Sequence, residues 1–424
     1  MRIEQVVVPM LRAAAKRDWA MRAADRALKP WNPFSPRRYR DPYPLYEQVR
    51  AHGPVSYQWT IQGWNVVGYE ECEATLRSSQ VSADRSEMMD VITPYTKTDS
   101  ETVELFTRTM LMTDPPDHGR LRSLVNRAFT PRAVAALEPS IEKITLDLLH
   151  EIGEDRTVDV QKSFCDRVPI YAISDMLGIP RAERERLKLI SDEVVKFIDP
   201  ISGFDPYDME AAVRDFRSLL GDIIAEREAQ PQDDMLSRLL EAEEGGDRLS
   251  RAELESMVAL LLVAGHETTA GLLGNALLAL QHHPDAKAQL SEEPEIVENA
   301  VEELIRYDSP VQGTDRVATE DFELSGQRIK AGQMIGVFLG AANRDPRRYE
   351  RPEVLQLDRH QPRPLSFGHG IHHCLGAALA RLEARVALPL FVKTFPDYRI
   401  DEDRLEWKRS ITLRGPAQLP VSLR

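Results

Sequence analysis

A ten-residue stretch, FGHGIHHCLG from Phe367 to Gly376, concentrates residue types that bind metals or act as nucleophiles. It holds three histidines, three glycines and one cysteine, Cys374. Zinc is one interpretation, since His and Cys are common zinc ligands. Adjacent His-His-Cys residues do not easily direct three side chains to one tetrahedral centre, and the chain has no CxxC pair and no second HxxxH pair. An inert buried cysteine in a glycine-rich turn is the other simple interpretation.

The residues after Cys374, LGAALARLEARVALPLF, predict a helix. The sulfur would then lie near a helix N-terminus, where backbone N–H groups and the helix dipole stabilise a thiolate. Gly368, Gly370 and Gly376 remove side-chain bulk, so that a large flat ligand could approach the backbone closely. A haem iron bound by the thiolate fits this pattern better than zinc.

A second polar cluster, HETT at positions 266–269, interrupts the otherwise apolar stretch MVALLLVAGHETTAGLLGNALLAL. The stretch belongs to a helix predicted from about Arg251 to His282, entered through Ser250 with Glu253 three residues later, a capping-box signature. A helix that is apolar all round belongs in the core of a large protein. Polar side chains at its centre cost stability unless they have partners.

The stretch FGHGIHHCLG resembles the haem-binding loop of the cytochrome P-450 family at all ten positions. Three further motifs of that family occur in the expected order: AGHETT on the long helix, then ELIR, then NRDP. The resemblance extends from about Asp41 to the C-terminus. It implies one domain over residues 32–424 that is mostly α with small β-sheets, with the long helix crossing over the haem.

The resemblance implies haem b as the cofactor, with the Cys374 thiolate as the axial iron ligand. Phe367, Gly368 and Gly376 would surround the sulfur. The family's helix residues facing the haem match Ala264 and Gly265, and the glycine would let the helix open locally.

The family's hydrogen-bond donors to the haem propionates match four residues of this chain. They are His118, Arg122, Arg316 and His372. In the ELIR motif, Glu303 and Arg306 would form a buried ion pair behind the haem, on one face of a helix.

Glu267 and Thr268 resemble the family's acid–alcohol pair, which delivers protons during oxygen activation. The residues alone leave a plainer alternative open, in which Thr268 bonds to the preceding turn and Glu267 reaches solvent.

The family's substrate-facing segments are largely apolar here, and methionines suit a pocket that adapts its shape. The predicted pocket residues are Met88, Met89, Phe106, Leu261, Ala264, Val311 and Ile411. The implied reaction is oxygen-dependent hydroxylation or epoxidation of a polyketide-, terpenoid- or steroid-like molecule. A peroxide-dependent peroxygenase and a non-catalytic haem-binding or sensor protein are the alternatives.

No glycine-rich nucleotide fingerprint or appended reductase follows the haem loop, so electrons are expected from an external ferredoxin and ferredoxin reductase. The expected docking face is the cysteine side, where several cations could attract an acidic partner. These are Arg120, Arg122, Arg127 and Arg363.

Composition sets further limits. The 424 residues carry a net charge of −14, which disfavours nucleic-acid binding, and the three cysteines favour a reducing, cytoplasmic setting. Residues 1–31 form a basic arm of net charge +4, whose apolar run VVVPML is interrupted by Pro9 and too short to span a bilayer. A docked or frayed arm is favoured over a helix lying on a membrane surface.

Strand signals are few. VSYQWTI and WNVVGY flank Gln62 and Gly63 and predict a β-hairpin, whereas residues 120–283 read as mostly helical. Further short strands are predicted at FELSGQRI, MIGVFL and RSITLRG.

Overall fold

A computed structural model describes residues 36–59, 62–84, 105, 108–153, 157–198, 206–244 and 246–423. Helices dominate these residues, as predicted, and the basic arm over residues 1–31 lies outside them. The α-helices are α1 Pro36–Arg40, α2 Tyr43–Arg50, α3 Tyr69–Arg77, α4 Asp117–Ala128, α5 Pro131–Ala135, α6 Glu138–Ile152, α7 Arg167–Leu177, α8 Arg184–Ile198, α9 Pro206–Ala229, α10 Met235–Glu241, α11 Arg251–His282, α12 Pro284–Glu292, α13 Val297–Tyr307, α14 Leu339–Ala342 and α15 Ala377–Thr394.

The long helix α11 has the predicted bounds and the predicted capping box. Ser250 Oγ accepts the Glu253 backbone N–H at 3.3 Å, and Glu253 Oε2 accepts the Ser250 N–H at 2.8 Å. Among the described residues it is also the one helix long and apolar enough to cross a membrane, but 72% of its most apolar window is buried inside the fold. Its composition is therefore that of a core helix.

Two apolar cores meet along α11. Residues 254–263 join one core with α7, α8 and α9, and residues 272–280 join a second core with α6, α13 and α15. Each fully buried leucine contributes roughly 1.5–3 kcal/mol relative to exposure. The helix is thus held on both sides of the polar HETT residues, which occupy the junction between the cores.

A five-stranded sheet packs beside the helices in the order β1-β2-β10-β7-β3. The predicted hairpin is confirmed, because β1 pairs with β2 in antiparallel register from Val55 opposite Val66 to Gln58 opposite Gly63. Strand β10 runs parallel to β2 and antiparallel to β7, placing Arg316 opposite Ile335. The sheet contains β1 Val55–Gln58, β2 Gly63–Val66, β3 Val81–Ser82, β7 Thr314–Ala318 and β10 Met334–Val337.

Smaller sheets complete the described part of the fold. The strand structure predicted at FELSGQRI is present, and it forms a hairpin with Phe322 opposite Ile329. The remaining strands are β4 Thr157–Asp159, β5 Glu243–Glu244, β6 Asp247–Arg248, β8 Phe322–Leu324, β9 Gln327–Ile329, β11 Arg399–Ile400, β12 Glu406–Trp407, β13 Pro416–Gln418 and β14 Pro420–Ser422.

The predicted strand RSITLRG is wrong. Ser410 Oγ accepts the backbone N–H groups of Thr412 at 3.2 Å and Leu413 at 2.7 Å, and Leu413 makes only an isolated bridge to Val311. A serine that bonds its own following backbone groups favours a turn over a sheet ladder. The strands lie on either side of this turn, as β12 and β13.

Candidate active site

An apolar cavity of about 270 Å³ lies between the middle of α11 and the Cys374 loop. Both walls carry predicted site residues, together with Arg122 from α4 and Arg316 from β7. The predicted residues that line it are Arg122, Leu261, Ala264, Gly265, Thr268, Val311, Arg316, Phe367, Gly368, His372, Cys374 and Gly376. Lining residues that the sequence did not indicate include Met110, Leu111, Phe129, Ile173, Leu272 and Leu339.

Three predicted residues do not line this cavity, and three others cannot be placed. His118 lies next to His372, and Glu267 lies behind the cavity wall. Ile411, in the turn after Ser410, is not among the described residues that line the cavity. Met88, Met89 and Phe106 fall outside the described residues.

The loop before Cys374 is closed by its own backbone, since the Cys374 N–H donates to the Phe367 carbonyl at 2.8 Å. The predicted helix follows as α15. Burial raises the pKa of the Cys374 thiol, and the N–H groups of Gly376 and Ala377 act in the opposite direction, as does Arg122. Helix N–H groups alone therefore do not produce the thiolate here. A cation bound at the sulfur would favour that form, because ligation requires deprotonation.

The loop histidines point apart. His369 Nε2 lies 3.2 Å from a carboxylate oxygen of Glu73. The ring centroid of His372 lies 4.3 Å from the ring centroid of His118, and His373 is exposed. Among the described residues, no three His, Cys, Asp or Glu side chains converge as metal ligands. A single thiolate on an iron that brings its own four nitrogen ligands requires no such cluster.

Two of the three loop glycines keep the cavity side open. Among the described residues, a Cβ at Gly376 would meet nothing closer than Cys374 Sγ, at 4.0 Å, and a Cβ at Gly368 nothing closer than the His372 carbonyl oxygen, at 3.8 Å. Gly370 has a different cause, because a Cβ there would lie 2.5 Å from the Leu76 carbonyl oxygen of α3. The prediction that Gly370 serves a ligand is therefore corrected: it permits the loop to pack on α3.

The predicted propionate donors fit an anionic ligand. His118 Nε2 and His372 Nε2 are buried and have no hydrogen-bond partner among the described residues, whereas buried polar atoms are almost always paired. Burial, and then Arg316, lower the pKa of His372 to about 4, so its ring is neutral and donates one N–H. Arg122 and Arg316 bring positive charge to the same cavity. The residues present thus match a large flat ligand with carboxylates at its edge.

Thr268 reaches the cavity from α11, and its hydroxyl donates to the Ala264 carbonyl at 2.9 Å. Thr269 Oγ1 likewise donates to the Gly265 carbonyl at 3.3 Å. The predicted local opening of the helix at Gly265 is absent, because the α-helix is regular throughout residues 251–282. A Cβ at Gly265 would meet Ile173 only at ordinary contact distance, so the glycine leaves room in the cavity rather than distorting the helix.

Glu267 is buried and bound from outside the helix. Lys408 Nζ donates to Glu267 Oε1 at 2.7 Å, and His266 Nε2 lies 3.7 Å from Oε2. Burial raises the pKa of Glu267, but Lys408 and His266 outweigh it and hold the pKa below its usual value. The plainer alternative is therefore half right: Thr268 does bond to the preceding turn, but Glu267 is a buried carboxylate that does not reach solvent.

Comparison with known proteins decides what this cavity is. The cytochrome P450 family model matches residues 87–403. The polyketide biosynthesis cytochrome P450 PksS of Bacillus subtilis (strain 168) is 40% identical over 397 residues, covering 92% of this chain and 96% of that protein. The chain belongs to the cytochrome P450 family. This P450 is accordingly an oxidoreductase with haem b as cofactor, held by an axial cysteine.

Further relatives agree with the P450 assignment. Cytochrome P450 monooxygenase PikC of Streptomyces venezuelae is 37% identical over 393 residues, covering 91% of each chain. The PksS structure matches with a TM-score of 0.84 at 38% identity, over 92% of this chain and 99% of that one. The crystal structure of P450BioI in complex with hexadec-9Z-enoic acid ligated acyl carrier protein matches with a TM-score of 0.82 at 33% identity. The match covers 91% of this chain and 98% of that one. The predicted fold is confirmed.

The Glu303–Arg306 pair of the P450 is fully buried and has a third member that the sequence did not indicate. Arg306 donates to Glu303 at 2.7 and 2.8 Å, and Arg359 donates to both oxygens of the same carboxylate at 3.0 and 3.1 Å. Arg306 also donates to the Asn343 and Pro352 carbonyls at 2.9 Å. No short motif could reveal Arg359, because it lies 56 positions from Glu303.

A second residue that the sequence did not indicate, Arg381, contacts the ring of Phe367. The Arg381 guanidinium lies 4.2 Å from the centre of the Phe367 ring and is ion-paired with Glu302. A cation over an aromatic face is attracted by the ring quadrupole. Arg381 therefore fixes the Phe367 ring at the edge of the cavity.

Proposed function

We propose that this P450 uses dioxygen to hydroxylate or epoxidise a hydrophobic small molecule, with electrons from an external ferredoxin. The observation that carries the proposal is one cavity with Cys374 on one wall and Thr268, among apolar side chains, on the other. Cys374 supplies an iron ligand, and Thr268 supplies a hydroxyl for proton transfer.

The proposed roles of the residues follow from their positions around the cavity. Cys374 would bind the haem iron, and His118, Arg122, Arg316 and His372 would hold the propionates. When bound, the haem supplies oxygen activation. Phe367, held by Arg381, excludes water from the sulfur.

On the opposite wall, Thr268 Oγ1 presents a hydroxyl to the cavity. Glu267 is an anionic carboxylate that accepts a proton and passes it toward that hydroxyl. Ala264 and Gly265, which have little or no side chain, leave space between α11 and the cofactor.

The proposed substrate is apolar and of the polyketide, terpenoid or steroid type. Leu261, Val311, Ile173 and Met110 line the cavity, so a polar substrate would leave its groups without partners. The 40% identity to a P450 named for polyketide biosynthesis favours the first of these classes.

The proposed electron donor is a ferredoxin that docks on the cysteine side, in a cytoplasmic setting. Arg127 and Arg363 are exposed, whereas Arg120 is ion-paired with Glu253 and Asp247. Arg120 is therefore withdrawn from the predicted docking set. Ile371, 52% exposed in the cysteine loop, adds an apolar contact at this face.

A peroxide-dependent peroxygenase is less well supported, because such an enzyme does not need the buried Glu267 beside a cavity hydroxyl. Holoenzyme with NADPH, a surrogate ferredoxin and its reductase separates these functions. A macrolactone, a steroid and a fatty acid serve as probes. The proposal predicts probe-dependent NADPH consumption and an oxygenated product. Product formed only with added hydrogen peroxide would contradict it, and probe binding without turnover by either route would indicate a binding protein.

A further inference from the structure

A buried histidine next to Glu267 has no assigned role. His266 is 1% exposed at its side chain, and Ser191 Oγ lies 3.1 Å from its Nδ1. Within the described part of the chain, the other ring nitrogen, Nε2, has no hydrogen-bond partner. It lies between two carboxylates, 3.7 Å from Glu267 Oε2 and 3.9 Å from Asp192 Oδ1.

The two carboxylates differ in their access to solvent. The Asp192 side chain is 38% exposed, and that of Glu267 is 10% exposed. The imidazole nitrogen therefore lies between a solvent-accessible carboxylate and a largely buried one. Small side-chain movements, on the order of 1 Å, would bring either oxygen within hydrogen-bond distance of Nε2.

We propose that His266 relays protons from Asp192 to Glu267, and this inference rests on the proposed function. Nδ1–H remains donated to Ser191 Oγ throughout. The protonated Asp192 carboxyl gives its proton to His266 Nε2, so one O–H bond breaks and one N–H bond forms. The imidazolium then gives the Nε2 proton to Glu267 Oε2, and solvent restores the Asp192 proton. Nothing is oxidised or reduced.

The charged groups around the histidine suit this direction of transfer. Burial lowers the pKa of His266, so the ring rests neutral, and the carboxylates of Glu267 and Asp192 stabilise the transient imidazolium. Lys408 donates a hydrogen bond to Oε1 of Glu267, and Oε2 is the oxygen that faces the His266 ring. Lys188 pairs with Asp192 at 2.7 Å, and Asp166 faces both Lys188 and Lys408.

A buried histidine that merely packs would be insensitive to Asp192 and to proton transfer. The test compares His266→Gln and Asp192→Asn with His282→Gln, a histidine at the exposed end of the same helix that bonds Glu402 at 2.7 Å. Asp192 is part exposed, so Asp192→Asn keeps the test informative should His266→Gln not fold.

The first readout requires no turnover. Nitrogen-15 NMR of histidine-labelled, reduced, carbon monoxide-bound holoenzyme identifies the His266 signal by its loss in His266→Gln. The relay requires a proton on Nδ1 and none on Nε2, together with a displaced His266 signal in Asp192→Asn. An Nε2–H tautomer in the resting protein would overturn the relay, because that nitrogen could not accept a proton.

The second readout uses a macrolactone, the probe of the favoured substrate class, with NADPH and the surrogate ferredoxin system. The relay predicts that product per NADPH falls roughly 10-fold in His266→Gln, as for loss of an acid–base group, while peroxide and the H₂O/D₂O rate ratio rise. Asp192→Asn should change in the same direction and His282→Gln should not. Unchanged values in both relay variants would overturn the inference. An inactive parent enzyme would count against the proposed function, and the tautomer would then decide the relay alone.

Discussion

Lys408 Nζ lies 2.7 Å from Glu267 Oε1, a contact between residues 141 positions apart that joins the segment between β12 and β13 to the middle of α11. Burial lowers the pKa of Lys408, but Glu267 and Asp166 outweigh it and raise the pKa above its usual value. The carboxylate and the ammonium are therefore both charged at neutral pH, and each compensates the burial of the other.

The pair's contribution to stability has two pH limits. Because the folded pKa of Glu267 is lowered, its contribution is present above the unfolded value and is lost as pH falls through the folded pKa. Because the folded pKa of Lys408 is raised, the contribution of Lys408 to stability is present below its unfolded pKa and is lost as pH rises through its folded pKa. The full contribution covers the neutral range.

Lys408→Met is expected to lower the free energy of unfolding by about 3–5 kcal/mol at neutral pH, because it strands a buried carboxylate. The loss should shrink in mildly acidic buffer, where burial raises the pKa of the unpaired Glu267 and it takes up a proton. Urea unfolding followed by circular dichroism at pH values of about 7 and 5 measures both effects. Lys143→Met, which removes an exposed partner of Asp147, is the control. An equal loss at both pH values would contradict this assignment.

The buried Glu303 carboxylate is expected to show a ranked response to loss of its two arginines. Arg306→Met should cost about 3–5 kcal/mol, since Arg306 also satisfies backbone carbonyls. Arg359→Met should cost about 1.5–3 kcal/mol, the range for hydrogen bonds to a charged group, because Arg306 still pairs the carboxylate. Urea midpoints and the haem content of purified protein report the loss. Arg328→Ala, at an exposed ion pair, should leave both unchanged. Equal effects of Arg359→Met and Arg328→Ala would refute the triad.

Thr268→Ala is expected to keep the haem spectrum and to lose coupling. The hydroxyl faces the cavity, so its removal should lower product per NADPH by roughly 10-fold or more and raise peroxide release correspondingly. Thr394→Ala removes a hydroxyl with the same backbone contact on α15, 2.8 Å from the Leu390 carbonyl, and should behave like the parent. Coupling unchanged in Thr268→Ala would exclude the hydroxyl from proton transfer.

His118→Phe is expected to release haem faster, because the ring stays but its N–H donor is lost. Burial lowers the pKa of His118, so the donor is a neutral imidazole. The rate of haem transfer to apomyoglobin should rise roughly 10-fold, as for a lost hydrogen bond to a charged group. His150→Gln, on an exposed position of α6, is the comparison. Equal transfer rates would place His118 outside the propionate site.

Interactions that close within a few residues were predictable from the sequence. The capping box spans Ser250 to Glu253, the Cys374 loop spans ten positions, and Glu303 and Arg306 are three apart. The capping box has few local geometries, so residue type and spacing suffice to predict it. The roles of the Cys374 loop and of the Glu303–Arg306 pair were predicted from the resemblance to the P450 family, and the spacing of three showed only that the pair shares a helix face.

Contacts made by tertiary packing were not predictable. Lys408 and Arg359 reach their carboxylates only after distant segments pack, and nothing adjacent in the sequence marks them. The strand predicted at RSITLRG failed for a local reason, since the Ser410 side chain accepts the backbone N–H groups of Thr412 and Leu413 and forms a turn there. The opening expected at Gly265 failed because a glycine permits distortion without causing it.

The most direct test of the central claim is the absorption spectrum of dithionite-reduced holoenzyme under carbon monoxide, with Cys374→Ser alongside. Ligation by the Cys374 thiolate predicts a strongly red-shifted Soret band that is lost in Cys374→Ser, while Cys72→Ser, at a buried cysteine that does not line the cavity, retains it. A red-shifted band that persists in Cys374→Ser, or no such band in haem-loaded parent protein, would contradict the account.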